Sequence, residues 1–311
     1  MNDMKPLRHI LTLSDLEVEE LKSILKTASK LKADYKQGKH EKLLDGKVLG
    51  MIFEKMSLRT RVSFEAGIFQ LGGTAMLLED KHIGLGSRES VKDVSRVLSS
   101  MVDCVVFRAK RHEVVEEFAS YSSVPVINAL TDKSHPCQAL ADVLTIKEEF
   151  GSLENIKIAW IGDSNNVSAS LVEIAAMLGL HIVISSPEGY RFSQEEIATL
   201  TQQRQPGFEL EFIDNPKDAV SDAHVVYTDV WVSMGEEAEK QERLERFASY
   251  QVNAELMKNA RKDAIFLHCL PARRGLEVTD DVIDSPQSRV VAEAENRMHA
   301  QKGLLVWLLQ D

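Results

Sequence analysis

The sequence is poor in the features that mark several protein classes. It has 3 cysteines in 311 residues, Cys104, Cys137 and Cys269. They are odd in number, far apart and without a CxxC pair, so neither a disulfide framework nor a zinc knuckle is indicated, and a reducing compartment fits. No stretch approaches the ~18 apolar residues of a membrane span, and the N-terminus runs into a polar helix instead of an apolar signal core. A cytoplasmic protein is expected. Positive charge is scarce as well: Lys+Arg 37 against Asp+Glu 48 leaves −11. That field repels polyanions, so neither nucleic acid nor an anionic membrane surface is an expected partner, and any anion site must be local. With Gly 16, Pro 8 and no repeat, the chain is neither fibrous nor low-complexity.

What remains is ordinary globular composition, long enough for two α/β domains of about 100–200 residues each. Short apolar runs alternate with helical patterns. Strands are expected at 48–53, 75–78, 104–107 and 124–127, with helices at 62–71, 90–101 and 113–121; the first helix is expected to open at Ser14, with Glu17 reaching back as a capping box. A helix over 138–150 bridges to a second alternation with strands near 156–161, 182–185, 209–213, 225–228 and 264–268. The fold expected is α/β, two doubly wound parallel-sheet domains joined by interdomain helices. The first spans 1–137, the second 138–293, and the helix 294–311 packs back on the first.

Open parallel sheets bind ligands at the carboxyl ends of their strands, so polar residues there matter most. Four clusters qualify. Ser57-Leu58-Arg59-Thr60-Arg61 lies where a strand turns into a helix; unpaired N–H groups, two hydroxyls and two guanidiniums make a receptacle for a phosphate dianion. Arg108, at a later strand end, can add a second clamp. His135-Pro136-Cys137-Gln138 opens the bridging helix, and His135 and Gln138 can each hydrogen-bond a carbonyl or an amide. Gly162-Asp163-Ser164-Asn165-Asn166 occupies the place of GxGxxG but keeps only the first glycine, and the next strand ends in Ser185-Ser186 instead of an acid. Both absences disfavour NAD; the asparagines offer amides to a small ligand or simply form a polar turn. The fourth cluster joins Asp229-Val230-Trp231-Val232-Ser233-Met234-Gly235 to His268-Cys269-Leu270-Pro271. An acid, a thiol or thiolate and a hinged loop suit a zwitterionic amine. A zinc reading of His268 and Cys269 lacks two further ligands at plausible spacing.

Taken together these motifs resemble the aspartate/ornithine carbamoyltransferase family. Ser57–Arg61 is similar to its S-T-R-T-R, His135–Gln138 to H-P-x-Q, Asp229–Gly235 to D-x-x-x-S-M-G, His268–Pro271 to H-C-L-P, and Glu293-Ala294-Glu295-Asn296-Arg297 to E-A-E-N-R. The S-M-G and H-C-L-P pair is the ornithine-type signature. The resemblance implies transfer of the carbamoyl group of carbamoyl phosphate to the side-chain amine of L-ornithine, giving L-citrulline and phosphate, in arginine metabolism. It implies that Ser57, Leu58, Arg59 and Thr60 hold the phosphate, that Arg108, His135 and Thr60 contact the carbamoyl oxygen, and that Gln138 and Leu270 contact its nitrogen. Arg297 closes that pocket. Asn166, Asp229, Ser233 and Met234 hold ornithine, with Cys269 beside both the amine and the carbamoyl group, orienting the amine or accepting its proton. No metal or organic cofactor is called for, since the leaving group is already activated, and a homotrimer or a multiple of it is implied.

Two positions depart from the family pattern. Leu58 stands where the family usually has Thr, losing a hydroxyl but keeping the N–H. Gly84 precedes Leu85-Gly86 where the family often carries a His that reaches a neighbouring subunit, and the nearest histidine is His82. The alternatives are a carbamoyltransferase for another amine, such as putrescine or an acylated ornithine, and a catalytically weak regulatory homologue.

Overall fold

The computed structural model describes residues 7–79, 83–232 and 237–310. The chain forms two compact units, Met1–Ala141 with Glu295–Asp311, and Asp142–Ala294. The helices Pro136–Phe150 and Val290–Leu309 each contain one of the two boundaries in their sequence.

The first unit is built on four parallel strands, β1 (Val48–Phe53), β2 (Thr74–Glu79), β3 (Cys104–Arg108) and β4 (Val126–Leu130), in the order β2-β1-β3-β4. The central strands β1 and β3 are buried along nearly their whole length, whereas the edge strand β2 is half exposed. This is why β1 and β3 read as continuous apolar runs: a parallel sheet covered on both faces has no polar side. Phe107 of β3 meets Phe118 edge-on at 5.4 Å. The order reverses between β1 and β3, so the loops after these strands diverge and leave a crevice at their carboxyl ends. Backbone and side chain tie the loops together: Glu54 N–H donates to the Arg108 carbonyl at 3.0 Å, and Lys110 N–H donates to Glu54 Oε2 at 2.7 Å. Beside Arg108 the β3–β4 register slips by one residue, so Arg108 pairs with Leu130.

The second unit has five parallel strands, β5 (Lys157–Ile161), β6 (His181–Ser185), β7 (Glu209–Phe212), β8 (Val225–Tyr227) and β9 (Ile265–Leu267), ordered β7-β6-β5-β8-β9. Here the order reverses between β5 and β8. Trp160 and Tyr227, neighbours across that pair, are fully buried with ring centroids 4.9 Å apart; burying large side chains of this kind contributes about 1.5–3 kcal/mol each. Gly162, the first residue after β5, has φ +140°, a conformation open in practice only to glycine.

The strand expectations hold to within three residues at either end, the largest difference being at 124–127 against Val126–Leu130. The first helix differs. It spans Val18–Lys36 with Glu17 as N-cap and Glu20 reaching back, while Ser14 lies in a short 3₁₀ turn capped by Thr12. The reason is Arg8, whose two Nη atoms each donate to a Glu20 oxygen at 3.0 Å and fix Glu20 as the capping partner.

Candidate active site

In the first unit the expected anion-binding residues gather at the β1/β3 reversal. Ser57 is the N-cap of the helix Leu58–Gln70 and accepts the Thr60 N–H at 3.3 Å. Leu58 is the first helical residue and its side chain is 74% exposed, so the substitution of a hydroxyl by an isobutyl group faces outward while the helix-end N–H stays in place. Thr60 is the centre of the cluster: Arg108 Nη1 donates to its Oγ1 at 3.3 Å and Arg297 Nη2 at 2.9 Å. Arg297 Nη1 also donates to Gln138 Oε1 at 2.8 Å, and its buried Nε–H has no acceptor among the described residues. Arg297 therefore joins three motifs far apart in sequence.

His135 is positioned from behind. After β4 the turn 131–134 closes on itself, Thr131 N–H donating to the Ser134 carbonyl at 3.0 Å, and buried Asn128 braces it by donating to Thr131 Oγ1 and the Leu11 carbonyl. The helix Pro136–Phe150 follows, with His135 just before it and Gln138 in its first turn. Burial, then the charges of Arg297, Arg108 and Arg59, hold the His135 imidazole well below its usual pKa, so it is a neutral ring at pH 7. Arg59 is near enough for its charge to act on His135. Arg61 does not join the cluster: its Nε donates to Glu65 Oε1 at 3.0 Å, one turn along the same helix on an exposed face. The sequence reading, which aimed both guanidiniums at one anion, is corrected for Arg61 by that i,i+4 pairing. Cys137 is fully buried, and burial pushes its thiol up to about 12, consistent with packing.

In the second unit a group of opposite character sits at the β5/β8 reversal. Asn165 caps the helix Asn166–Leu178 through its side-chain oxygen and donates its amide N–H to Asp229 Oδ2 at 2.9 Å. Asn166 is the first helical residue. The Cys269 thiol donates to Asp229 Oδ1 at 3.1 Å, so both carboxylate oxygens are engaged. Burial, followed by the charge of Asp229 and this hydrogen bond, raises the thiol well above its ordinary range. Cys269 is thus a thiol donor to Asp229 here, which favours an orienting role over that of a thiolate or proton acceptor, because a second negative charge beside the carboxylate is costly.

Leu270 has φ +58° and lies in this group, its N–H donating to His268 Nδ1 at 2.9 Å. That bond leaves Nε2 to carry the proton, and it faces Glu277 Oε1 at 3.2 Å. Asp229, His268 and Cys269 bring one potential metal ligand each within 4.8 Å of one another, closer than the sequence suggested. Both ring nitrogens of His268 are already committed, Nδ1 to the Leu270 N–H and Nε2 to Glu277, which leaves Asp229 and Cys269 as the two remaining ligands of this group, too few for a resident ion.

Ser233, Met234 and Gly235, and likewise His82, lie outside the described residues. Gly84 is described: its φ is +64°, and a Cβ there would come 2.7 Å from Arg88 Cβ, so this turn excludes the histidine of the family pattern. Asn165 was weighed as an amide but given no role; its place as an N-cap directly after β5 was the signal. Tyr227, Glu277 and Glu293, which hold the strand ends, were missed, although Glu293 opens one of the quoted motifs.

The comparisons agree with the motifs. Residues 8–148 match the family model described as aspartate/ornithine carbamoyltransferase, carbamoyl-P binding domain, and residues 154–308 match the corresponding Asp/Orn binding domain. The chain is 51% identical to the ornithine carbamoyltransferase of Caldicellulosiruptor saccharolyticus over 97% of its length and 98% of the relative's. It is 52% identical to that of Bacillus subtilis, over 97% and 94%. Among solved structures, ornithine carbamoyltransferase from Pyrococcus furiosus superposes with a TM-score of 0.91 at 47% identity, covering 97% of both chains. With the motifs at the strand ends where such chemistry is held, and with matches of this length in both halves, the chain belongs to the aspartate/ornithine carbamoyltransferase family.

Proposed function

We propose that the protein is an ornithine carbamoyltransferase, which transfers the carbamoyl group of carbamoyl phosphate to the side-chain amine of L-ornithine and releases L-citrulline and phosphate. The observation that carries this reading is that one unit holds the Thr60–Arg108–Arg297–Gln138 cluster and the other the Asp229–Cys269–Asn165 cluster. The first suits a phosphate with an attached carbamoyl group; the second suits a cationic amino acid.

In this reading the Ser57–Thr60 helix start and Arg59 hold the phosphate. Arg108, Thr60 and neutral His135 donate to the carbamoyl oxygen as charge grows there, each fixed donor being worth about 3–4 kcal/mol of barrier. Gln138, together with Leu270, takes the carbamoyl nitrogen, and Arg297 fixes Gln138 and Thr60 in place. Asp229 and Asn166, with Ser233 and Met234, bind ornithine. Only the neutral amine attacks, and an ammonium of pKa ~10.4 costs about 4.6 kcal/mol to neutralise at pH 7. Desolvation of the amine lowers that cost. Cys269, being protonated, orients the amine and does not take its proton. The bond from carbamoyl carbon to the amine nitrogen forms, the bond to the phosphate oxygen breaks, and the amine proton leaves to solvent or phosphate.

We further infer a homotrimer or a multiple of it. Met56, Leu58, Val62 and Phe69 on and before one helix, and Val97 and Met101 on and after another, are at least half exposed in the first unit, apolar side chains that a second copy of the chain would cover. The direction is taken as biosynthetic and the compartment as the cytoplasm, in keeping with three free cysteines. Among the described residues no helix is long and apolar enough to cross a membrane.

The test is citrulline formation from carbamoyl phosphate with a panel of amines. L-Ornithine should be used and putrescine and N-acetylornithine refused. Preference for putrescine would reassign the amine site, and no product from any amine would defeat the enzymatic reading.

A further inference from the structure

The residues given roles so far leave unexplained what holds Cys269 and Asp229 at hydrogen-bond distance, since each sits on a loop just beyond a different strand. Glu293 answers this. It lies in the first turn of the helix Val290–Leu309 and is 1% exposed. Its Oε1 accepts the Tyr227 hydroxyl at 3.1 Å, and its Oε2 accepts the His268 N–H at 3.0 Å. Tyr227 is the last residue of β8, two before Asp229; His268 is the first after β9, one before Cys269. One carboxyl group thus clamps the ends of the two strands that carry the thiol and the carboxylate. A third bond joins the Glu293 side chain to Asp142, which is fully buried. A hydrogen bond between two carboxyl groups needs one proton, so the pair is a singly protonated unit. Burial and Asp142 raise Glu293 well above its usual range, in keeping with this.

We propose that Glu293, backed by Asp142, is a positioning residue that sets the Cys269 thiol on the Asp229 carboxylate by bridging the ends of β8 and β9. It touches no substrate in this account. The kinetic consequence rests on the ornithine carbamoyltransferase reading, whereas the geometric consequence does not. Three facts favour it over simple packing: Glu293 is polar and buried, both of its oxygens are spent on groups one or two residues from the candidate amine site, and an apolar side chain of similar size would leave the buried His268 N–H and Tyr227 hydroxyl unsatisfied.

Two readouts on Glu293→Ala and Glu293→Gln test it. Glutamine resembles the protonated acid: its oxygen can accept from the His268 N–H, and its amide N–H groups can donate to Asp142 and to the Tyr227 hydroxyl oxygen, which then acts as acceptor and keeps the clamp. The first readout is alkylation of Cys269 by iodoacetamide, located by peptide mass, with buried Cys104 and Cys137 reporting an intact fold through their continued protection. Glu293→Ala should alkylate Cys269 about five- to tenfold faster than wild type, because a thiol no longer held on a carboxylate recovers ordinary reactivity, and Glu293→Gln should stay within about twofold. The second readout is steady-state kinetics: Glu293→Ala should raise the KM for ornithine about tenfold with the KM for carbamoyl phosphate within about twofold. If Glu293→Ala does not fold, Tyr227→Phe removes one of the two clamping bonds, and about threefold faster alkylation is expected. A wild-type alkylation rate in the folded alanine variant, or in Tyr227→Phe where that variant is used, would overturn the proposal, as would equal loss in the alanine and glutamine variants. A wild-type protein that forms no citrulline would defeat the activity reading and leave the alkylation result to decide the role of Glu293.

Discussion

The two candidate half-sites are built to the same plan and carry opposite chemistry. Each lies where the strand order of a parallel sheet reverses, β1/β3 in one unit and β5/β8 in the other, and in each a helix begins directly after the first strand of the pair, capped by Ser57 or Asn165. Around the first cap stand Arg59, Arg108 and Arg297; around the second stand Asp229 and a protonated thiol. The topology therefore decides where a ligand can sit, and a few side chains at the strand ends decide its charge. The helix dipole favours an anion in both places. In the second unit the cap is turned to a different use, since the Asn165 side chain that accepts the helix N–H groups also donates to Asp229.

The variants that would break this comparison most severely are in the first unit. Arg297→Ala removes the bonds to both Thr60 and Gln138 and is expected to lower kcat/KM for carbamoyl phosphate by about 10²–10³-fold, read by steady-state citrulline assay. Asp229→Asn comes next: it removes the anion that both Asn165 and Cys269 serve, and should lower kcat/KM for ornithine about 100-fold while leaving carbamoyl phosphate affinity nearly unchanged. Cys269→Ser should lower turnover about tenfold with little change in thermal midpoint, because the hydroxyl keeps the donor but is shorter than the thiol. Unchanged turnover would make the thiol a bystander. Leu58→Thr sharpens the comparison gently, with carbamoyl phosphate KM falling by less than about fivefold, since the exposed side chain adds one hydroxyl to a cap that already works.

Acid also separates neutral from charged groups. His135 and His299 are held below the ordinary histidine range, His299 at about 3 through burial and then Lys302, Lys32 and Lys36. The unfolded chain binds protons at these positions from about pH 6.5 downward while the folded chain does not. Their contribution to stability is complete above that pH and is lost as pH falls toward the folded values. Denaturant titrations between pH 7 and 4 should show this slope, and His299→Leu should flatten it.

The sheets were legible because buried parallel strands are unbroken apolar runs, and Val48–Phe53 and Cys104–Arg108 could hardly be anything else. The motif residues were legible for a related reason: Thr60, Arg108, Asp229 and Cys269 are polar residues placed just where such runs stop. Arg61 was not, because the choice between an anion and Glu65 depends on the rotation of its helix, which the motif does not encode. The first helix start was misplaced because of a partner 12 residues away in sequence but adjacent in space, Arg8 on Glu20. Glu277 and Glu293 escaped for a deeper reason. Their partners include backbone N–H groups, of Arg273 and of His268, and a backbone partner leaves no residue type to recognise.

The central claim is that the anion is bound by the first group and the amine by the second, each without the other's charged residues. Calorimetric titration of carbamoyl phosphate into Arg59→Ala and Asp229→Asn, with inorganic phosphate in parallel, addresses it directly. The account predicts that Arg59→Ala shows no saturable binding and that Asp229→Asn binds as wild type does. Wild-type affinity in Arg59→Ala, or loss of binding in Asp229→Asn, would contradict it.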